Sequence, residues 1–260
     1  MSLPHFYLDG QVLGAEADAV FPLRLAEDDR RHARVLRLAP GEHIAVIDAA
    51  KDYFECEIVS IDRDACCVRI AQRGSGETLR PTVVLVQGIA KGEKMDDVVR
   101  HATEVGVSGF VPFTCERSIV KFDEKKAASK TARWRSIAKS AAMQSGQPDV
   151  PEVCEPMDLA EVCNLAKRAT AVLVCWEEAS GGSIREALAA ALSQQMIMPE
   201  DARVLVVVGP EGGLTQAEVH SLCDANSFAS AVTLGPSILR TETAGLIAPA
   251  LVLYELGGLQ

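Results

Sequence analysis

The sequence predicts an α/β protein in which a small β-rich unit precedes a parallel sheet covered by helices on both faces. Three observations predict it. Short strand candidates crowd into residues 1 to about 73; from Thr82 onward apolar strands alternate with segments of helical spacing; and Val204–Val208 is apolar without interruption, as in a strand buried on both sides.

In the first unit the strand candidates are His5–Leu8, Glu42–Ile47, Tyr53–Ile61 and Cys67–Gln72. A helix over about Asp28–Leu38 interrupts them and stops at Pro40-Gly41. Gly74–Pro81 reads as the linker, which gives domains at 1–73 and 81–260. Beyond it, Thr82–Gln87, Ser108–Phe113, Ala171–Cys175, Val204–Val208 and Ala231–Leu234 read as strands. Glu93–Val105 places Met95, Val98, Val99, Ala102 and Val105 on one helical face, and Glu124–Gln144 is a long helix. Ser183 with Glu186, and Thr215 with Glu218, have the spacing of capping boxes. Thr241–Leu256 is helical, with Pro249 expected to kink it or end its first part.

Composition narrows the function. Hydrophobic residues make up 48% of the chain, enough for a sizeable core. A net charge of -10 argues against a protein that coats nucleic acid by bulk attraction, although charge can be local. Arg30, Arg31, Arg34 and Arg37 lie together, and Arg117–Lys139 holds eight Lys or Arg against two acids. Either run taken alone is equally a solvated helix face. The eight cysteines form no C-x-x-C and no zinc-finger spacing, so no metal is expected and a reducing, cytoplasmic setting fits. No signal peptide or membrane span is expected.

Ligands of such sheets bind at the carboxyl ends of the strands. Two segments there stand out. Gly209-Pro210-Glu211-Gly212-Gly213 follows the apolar strand and precedes the Thr215 helix, whose first N–H groups are free. It is neither a P-loop nor a dinucleotide fingerprint, and alone it could be a connecting turn. Leu234–Ala244 runs from a strand through Gly235-Pro236 into a helix that starts with Arg240 and Glu242. Alone, that is equally a surface Arg–Glu pair with Thr241 or Thr243 as cap.

Together, GPEGGLTQAEV (209–219) and LGPSILRTETA (234–244) closely resemble the RsmE family, the uridine-N3 methyltransferases of small-subunit ribosomal RNA, of the SPOUT class. HARVLRL (32–38), KGEKMDDVVRHATEVGV (91–107), ERSIVKFD (116–123) and QSGQPDVPEV (144–153) extend the resemblance over almost the whole chain. The resemblance implies a PUA-like, RNA-binding first domain and a SPOUT domain with a C-terminal trefoil knot. It implies a homodimer whose interface lies beside the site, and S-adenosylmethionine held by Gly209, Glu211, Gly212, Leu234, Gly235, Ile238 and Leu239. The strand end at Cys175–Glu177 would supply a third loop. The chain departs from the family pattern at His5, Gln147 and Ser237, where an Arg is usual, and at Met143, where a Glu is usual.

Uridine N3 is a poor nucleophile until its proton leaves, so such an enzyme must align the base and favour its anion. The expected catalytic residues are Arg240, facing a uracil oxygen, and Glu242, or a water it orients, as proton acceptor. The target base must be unpaired or flipped out. Arg30, Arg31, Arg34, Arg37, Lys91, Lys94, Arg117 and Lys121 are expected to grip phosphates, and the acidic chain suggests an assembled small subunit as partner. A relative acting on another RNA, or one that binds RNA without catalysis, is the alternative.

Overall fold

The computed structural model describes residues 3–63, 65–74, 80–120, 122–179 and 182–259. The chain divides into two compact units, Met1–Thr78 with Ala142–Val150, and Leu79–Ala141 with Pro151–Gln260.

The first unit contains β1 (His5–Tyr7), β2 (Phe21–Pro22), α1 (Glu27–Val35), β3 (His43–Ile47), β4 (Tyr53–Ile61) and β5 (Cys66–Gly74). They form one sheet in the order β1-β3-β4-β5-β2, antiparallel except for the parallel β1–β3 pair. Alternation along β4 explains its faces: Phe54, Cys56 and Ile58 are buried, whereas Glu55 and Glu57 point away from the core. The helix ends three residues before the expected Leu38, and Arg37 follows in a left-handed conformation (φ 54°). Arg30, Arg31 and Arg34 therefore ride on α1, while Arg37 lies beyond it.

No local sequence pattern assigns Ala142–Val150 to this unit. Burial is the reason: Ala142 and Met143 join its core beside Phe6 and Ile44. The Tyr7 hydroxyl donates to the Gln147 carbonyl, and the His5 ring covers Gly146. His5, Met143 and Gln147, three of the positions that depart from the pattern above, thus pack this unit.

The second unit contains β6 (Thr82–Gly88), α2 (Lys94–Glu104), β7 (Gly109–Phe113), α3 (Glu124–Ser145, whose end belongs to the first unit), β8 (Glu152–Val153), α4 (Leu159–Ala166), β9 (Ala171–Cys175), α5 (Ile184–Gln195), β10 (Arg203–Val208), α6 (Gln216–Asp224), β11 (Ala229–Val232) and α7 (Thr241–Glu255). The sheet order is β11-β9-β10-β6-β7-β8, parallel throughout. Two cores flank it, one built on α2, α3, α5 and α7, the other on α4 and α6. Helices on both faces explain why β10 is buried from Val204 to Val208.

Register positions the site. Gln87 of β6 pairs with Val208 of β10, Val208 with Cys175 of β9, and Cys175 with Val232 of β11. Four carboxyl ends therefore lie level, and their loops leave one edge together.

Three expectations change. β11 is Ala229–Val232 rather than Ala231–Leu234, which releases Thr233 and Leu234 into the loop. Pro249 neither ends nor splits α7, which runs through it with Ala244, Ala248, Val252 and Leu253 buried. A missing hydrogen bond at proline costs about 3 kcal/mol, less than four buried apolar side chains return. The helix α4 was not anticipated, although Asp158 and Glu161 form a full capping box at its start. Among the described residues, no helix is long and apolar enough to cross a membrane, and no cluster of His, Cys, Asp or Glu could hold a metal ion.

Candidate active site

The loops leaving β9, β10 and β11 enclose a cavity of about 420 Å³, within the range of small-molecule sites. One relay holds its walls. Gln87 is fully buried at the end of β6, and its Nε2 donates to the Thr241 hydroxyl at 2.9 Å. That hydroxyl donates in turn to the Gly209 carbonyl at 2.6 Å. The end of β6, the loop after β10 and the first residue of α7 are thereby tied at one oxygen. Thr241 is not the cap of α7; Arg240 holds that position without a side-chain bond. The approach is close enough to demand glycine at 88, where a Cβ would lie 2.4 Å from the Pro210 nitrogen. Gly235 has φ +114° and nothing within 4 Å of a Cβ position, so its backbone faces open space in the cavity lining.

The loop 209–213 is fixed from its other side by Arg117, which donates to the Gly212 carbonyl at 3.1 Å and the Leu214 carbonyl at 3.4 Å. The buried carboxylate of Glu218 completes the capping box with Thr215 and also accepts from the Glu116 N–H at 2.7 Å.

Electrostatics centre on Lys94, in the first turn of α2. Its ammonium lies 3.0 Å from Glu211 Oε1 and 3.3 Å from Glu242 Oε2. The second contact is an ion pair without hydrogen-bond alignment. Glu211 Oε1 also accepts from the Lys91 N–H at 3.0 Å. Burial pushes the Glu211 carboxyl up, but the bonds from Lys94 and two backbone N–H groups outweigh it and hold the carboxyl below its usual range. Lys94 is raised, chiefly by its bond to Glu211. Both groups therefore stay charged through neutral pH. Burial pushes the Cys175 thiol up to about 12, so it is a neutral wall rather than a nucleophile.

Of the expected cofactor residues, Cys175, Gly209, Glu211, Leu234, Gly235, Ile238 and Leu239 line the cavity. Gly212 lies behind the lining, against Arg117. Arg240 lines the cavity and is exposed, and its guanidinium has no partner among the described residues. Glu242 is outside the lining and pairs with Lys94 rather than Arg240. Among the expected RNA contacts, Lys91 is exposed, but Lys94 and Arg117 are engaged within the site. Lys121 lies outside the described residues. Glu27 pairs with Arg30 at 2.8 Å and approaches Arg34 at 3.8 Å, whereas Arg31 and Arg37 are exposed. The expected third loop, Cys175–Glu177, lines the cavity with all three residues, whereas Gln87 is not among the expected site residues; a lone amide ending an otherwise apolar strand is the available signal for it.

Residues 78–253 match the model of an RNA methyltransferase domain, and residues 25–71 that of an RNA methyltransferase PUA domain. The ribosomal RNA small subunit methyltransferase E of Bacillus subtilis is 35% identical over 232 residues, 88% of each chain. The chain belongs to this family. The family member from Mycobacterium bovis is 33% identical over 220 residues, 83% of this chain and 79% of its own. The family member from Neisseria gonorrhoeae, crystallised bound to S-adenosyl methionine, has a TM-score of 0.74 at 27% identity over 96% of each chain.

The family's cofactor should feel the relay. Thr241→Val keeps the shape and removes the hydroxyl. S-adenosylmethionine affinity by calorimetry is expected to fall about tenfold, with about 1 kcal/mol of unfolding stability lost. Unchanged affinity would separate the relay from the cavity.

Proposed function

We propose that this protein methylates N3 of a uridine in small-subunit (16S) ribosomal RNA, with S-adenosylmethionine as methyl donor. Family membership supports the reaction, and one observation supports its location: an unpartnered Arg240 beside a glycine-walled cavity at the level ends of four parallel strands. The cavity suits the cofactor by its size and by the open backbone face at Gly235.

When bound, the cofactor supplies a methyl group activated by the positive sulfur. The residues of the chain must do the rest. Gly209, Glu211, Leu234, Gly235, Ile238 and Leu239 shape its seat, Cys175 adds an apolar wall, and Gly212 keeps the first loop in place through Arg117. Arg240 meets the uracil edge and stabilises negative charge on a carbonyl oxygen as the N3 proton leaves. Glu242, ion-paired with Lys94, takes that proton through a water it orients.

The first unit supplies RNA contact through Arg30, Arg31, Arg34 and Arg37, with Lys91 on the second. The partner is the assembled small subunit in the cytoplasm, a setting that suits eight free cysteines. Ile247, Leu251 and Tyr254 leave an exposed apolar stripe on α7, which supports a homodimer. Insertion of β10 between β6 and β9, with α7 returning onto α2, supports the trefoil knot.

Unmodified small subunits incubated with labelled cofactor should gain one methyl group, mapped to a uridine N3; a different base, or none, contradicts the proposal. Arg240→Ala should bind cofactor normally and lose roughly a hundredfold in turnover. Charge reversal at Arg34 and Arg37 together should weaken RNA binding, flatten its salt dependence and leave cofactor affinity unchanged. Equal loss of both affinities would indicate misfolding.

A further inference from the structure

The cavity lining carries four charged side chains, Lys94, Glu177, Arg240 and Glu211. Lys94 is committed to Glu211 and Glu242. Glu177, two residues beyond β9, has no hydrogen bond or ion pair among the described residues. Nor does its carboxylate trail freely into solvent. It occupies the space left by the missing side chain of Gly213: Oε1 lies 2.6 Å, and Oε2 3.5 Å, from where a Cβ would stand. The glycine of one loop thus seats the carboxylate of another against the cavity wall.

Charge counting gives this seat a purpose. Lys94 and Arg240 contribute two positive charges, whereas Glu177, Glu211 and Glu242 contribute three negative ones. The lining and its ion-pair partner therefore carry one net negative charge, and Glu177 is the unpaired anion. The methyl donor and its product differ in one charge: the donor has a sulfonium, the product a neutral thioether, and both share the same amino-acid end. A fixed anion attracts the first more than the second.

We infer that Glu177 is a specificity-determining residue, the counter-charge by which the cavity prefers the cationic methyl donor to its neutral thioether product. The inference rests on the assignment of this cavity to the cofactor. Its effect is modest because the side chain is exposed.

Calorimetry on the whole chain tests it with three ligands: S-adenosylmethionine, S-adenosylhomocysteine, and an analogue with an amine-bearing carbon in place of the sulfonium. Glu177→Gln should weaken the two cationic ligands roughly fivefold and change the thioether less than twofold. Glu178→Gln, next in sequence but outside the lining, should change none. Equal weakening of all three ligands, no change, or the same selectivity loss at Glu178 would overturn the inference. Trp176 lines the same cavity and reports on the assignment beneath it. The fluorescence change on cofactor binding should vanish in Trp176→Phe. Survival of that signal would place the cofactor elsewhere and end both readings, whereas its loss with unaltered selectivity in Glu177→Gln would end this inference alone.

Discussion

The hydroxyl of Thr241 is the point on which the site depends. It accepts from Gln87 and donates to Gly209, so one buried oxygen fixes a strand end, a glycine loop and the start of a helix. Each hydrogen bond returns only about 1 kcal/mol net, but an orphaned buried partner costs about 1–3 kcal/mol. The constraint is therefore sharper than its stabilisation. Neighbouring packing enforces it: a Cβ at Gly245 would lie 2.4 Å from Gln87 Oε1 and 3.1 Å from Val98, so α7 lies against β6 and α2 with no room for a side chain. That contact carries α7 through Pro249 and places Arg240, just before the helix, at the cavity.

Charge is distributed around this frame with economy. One ammonium, Lys94, holds a carboxylate of the loop after β10 and another in the first turn of α7, and Arg117 commits its guanidinium to loop carbonyls. Groups that look like RNA ligands in the sequence thus serve the shape of the cavity. What they leave unpaired is one cation, Arg240, and one anion, Glu177, on the same lining. An acidic protein with so few free cations at its site must draw RNA affinity from elsewhere, and the exposed arginines Arg31 and Arg37 of the first unit are suited to that.

Local patterns made much of this legible. Continuous apolar runs announced β6, β9 and β10, and capping residues placed the start of α6. The two glycine loops were visible because glycine and proline punctuate a chain strongly. What escaped was set by distant contacts. Ala142–Val150 joins the first unit through burial of Met143 and the Tyr7–Gln147 bond, across a long sequence separation. Leu234 looked like a strand residue until pairing ended at Val232. In the sequence Glu242 is an available mate for Arg240 two residues away, but helix geometry turns it to Lys94 on another helix. The seat of Glu177 on Gly213 joins two loops that no spacing relates.

The most direct test is a crystal structure of this chain grown with S-adenosylmethionine. Cofactor density between the 209–213 and 234–239 loops, with Thr241 still bonded to Gly209 and Gln87, is the predicted result. Cofactor density outside that cavity, or loops parted with the Thr241 bonds broken, would contradict the account.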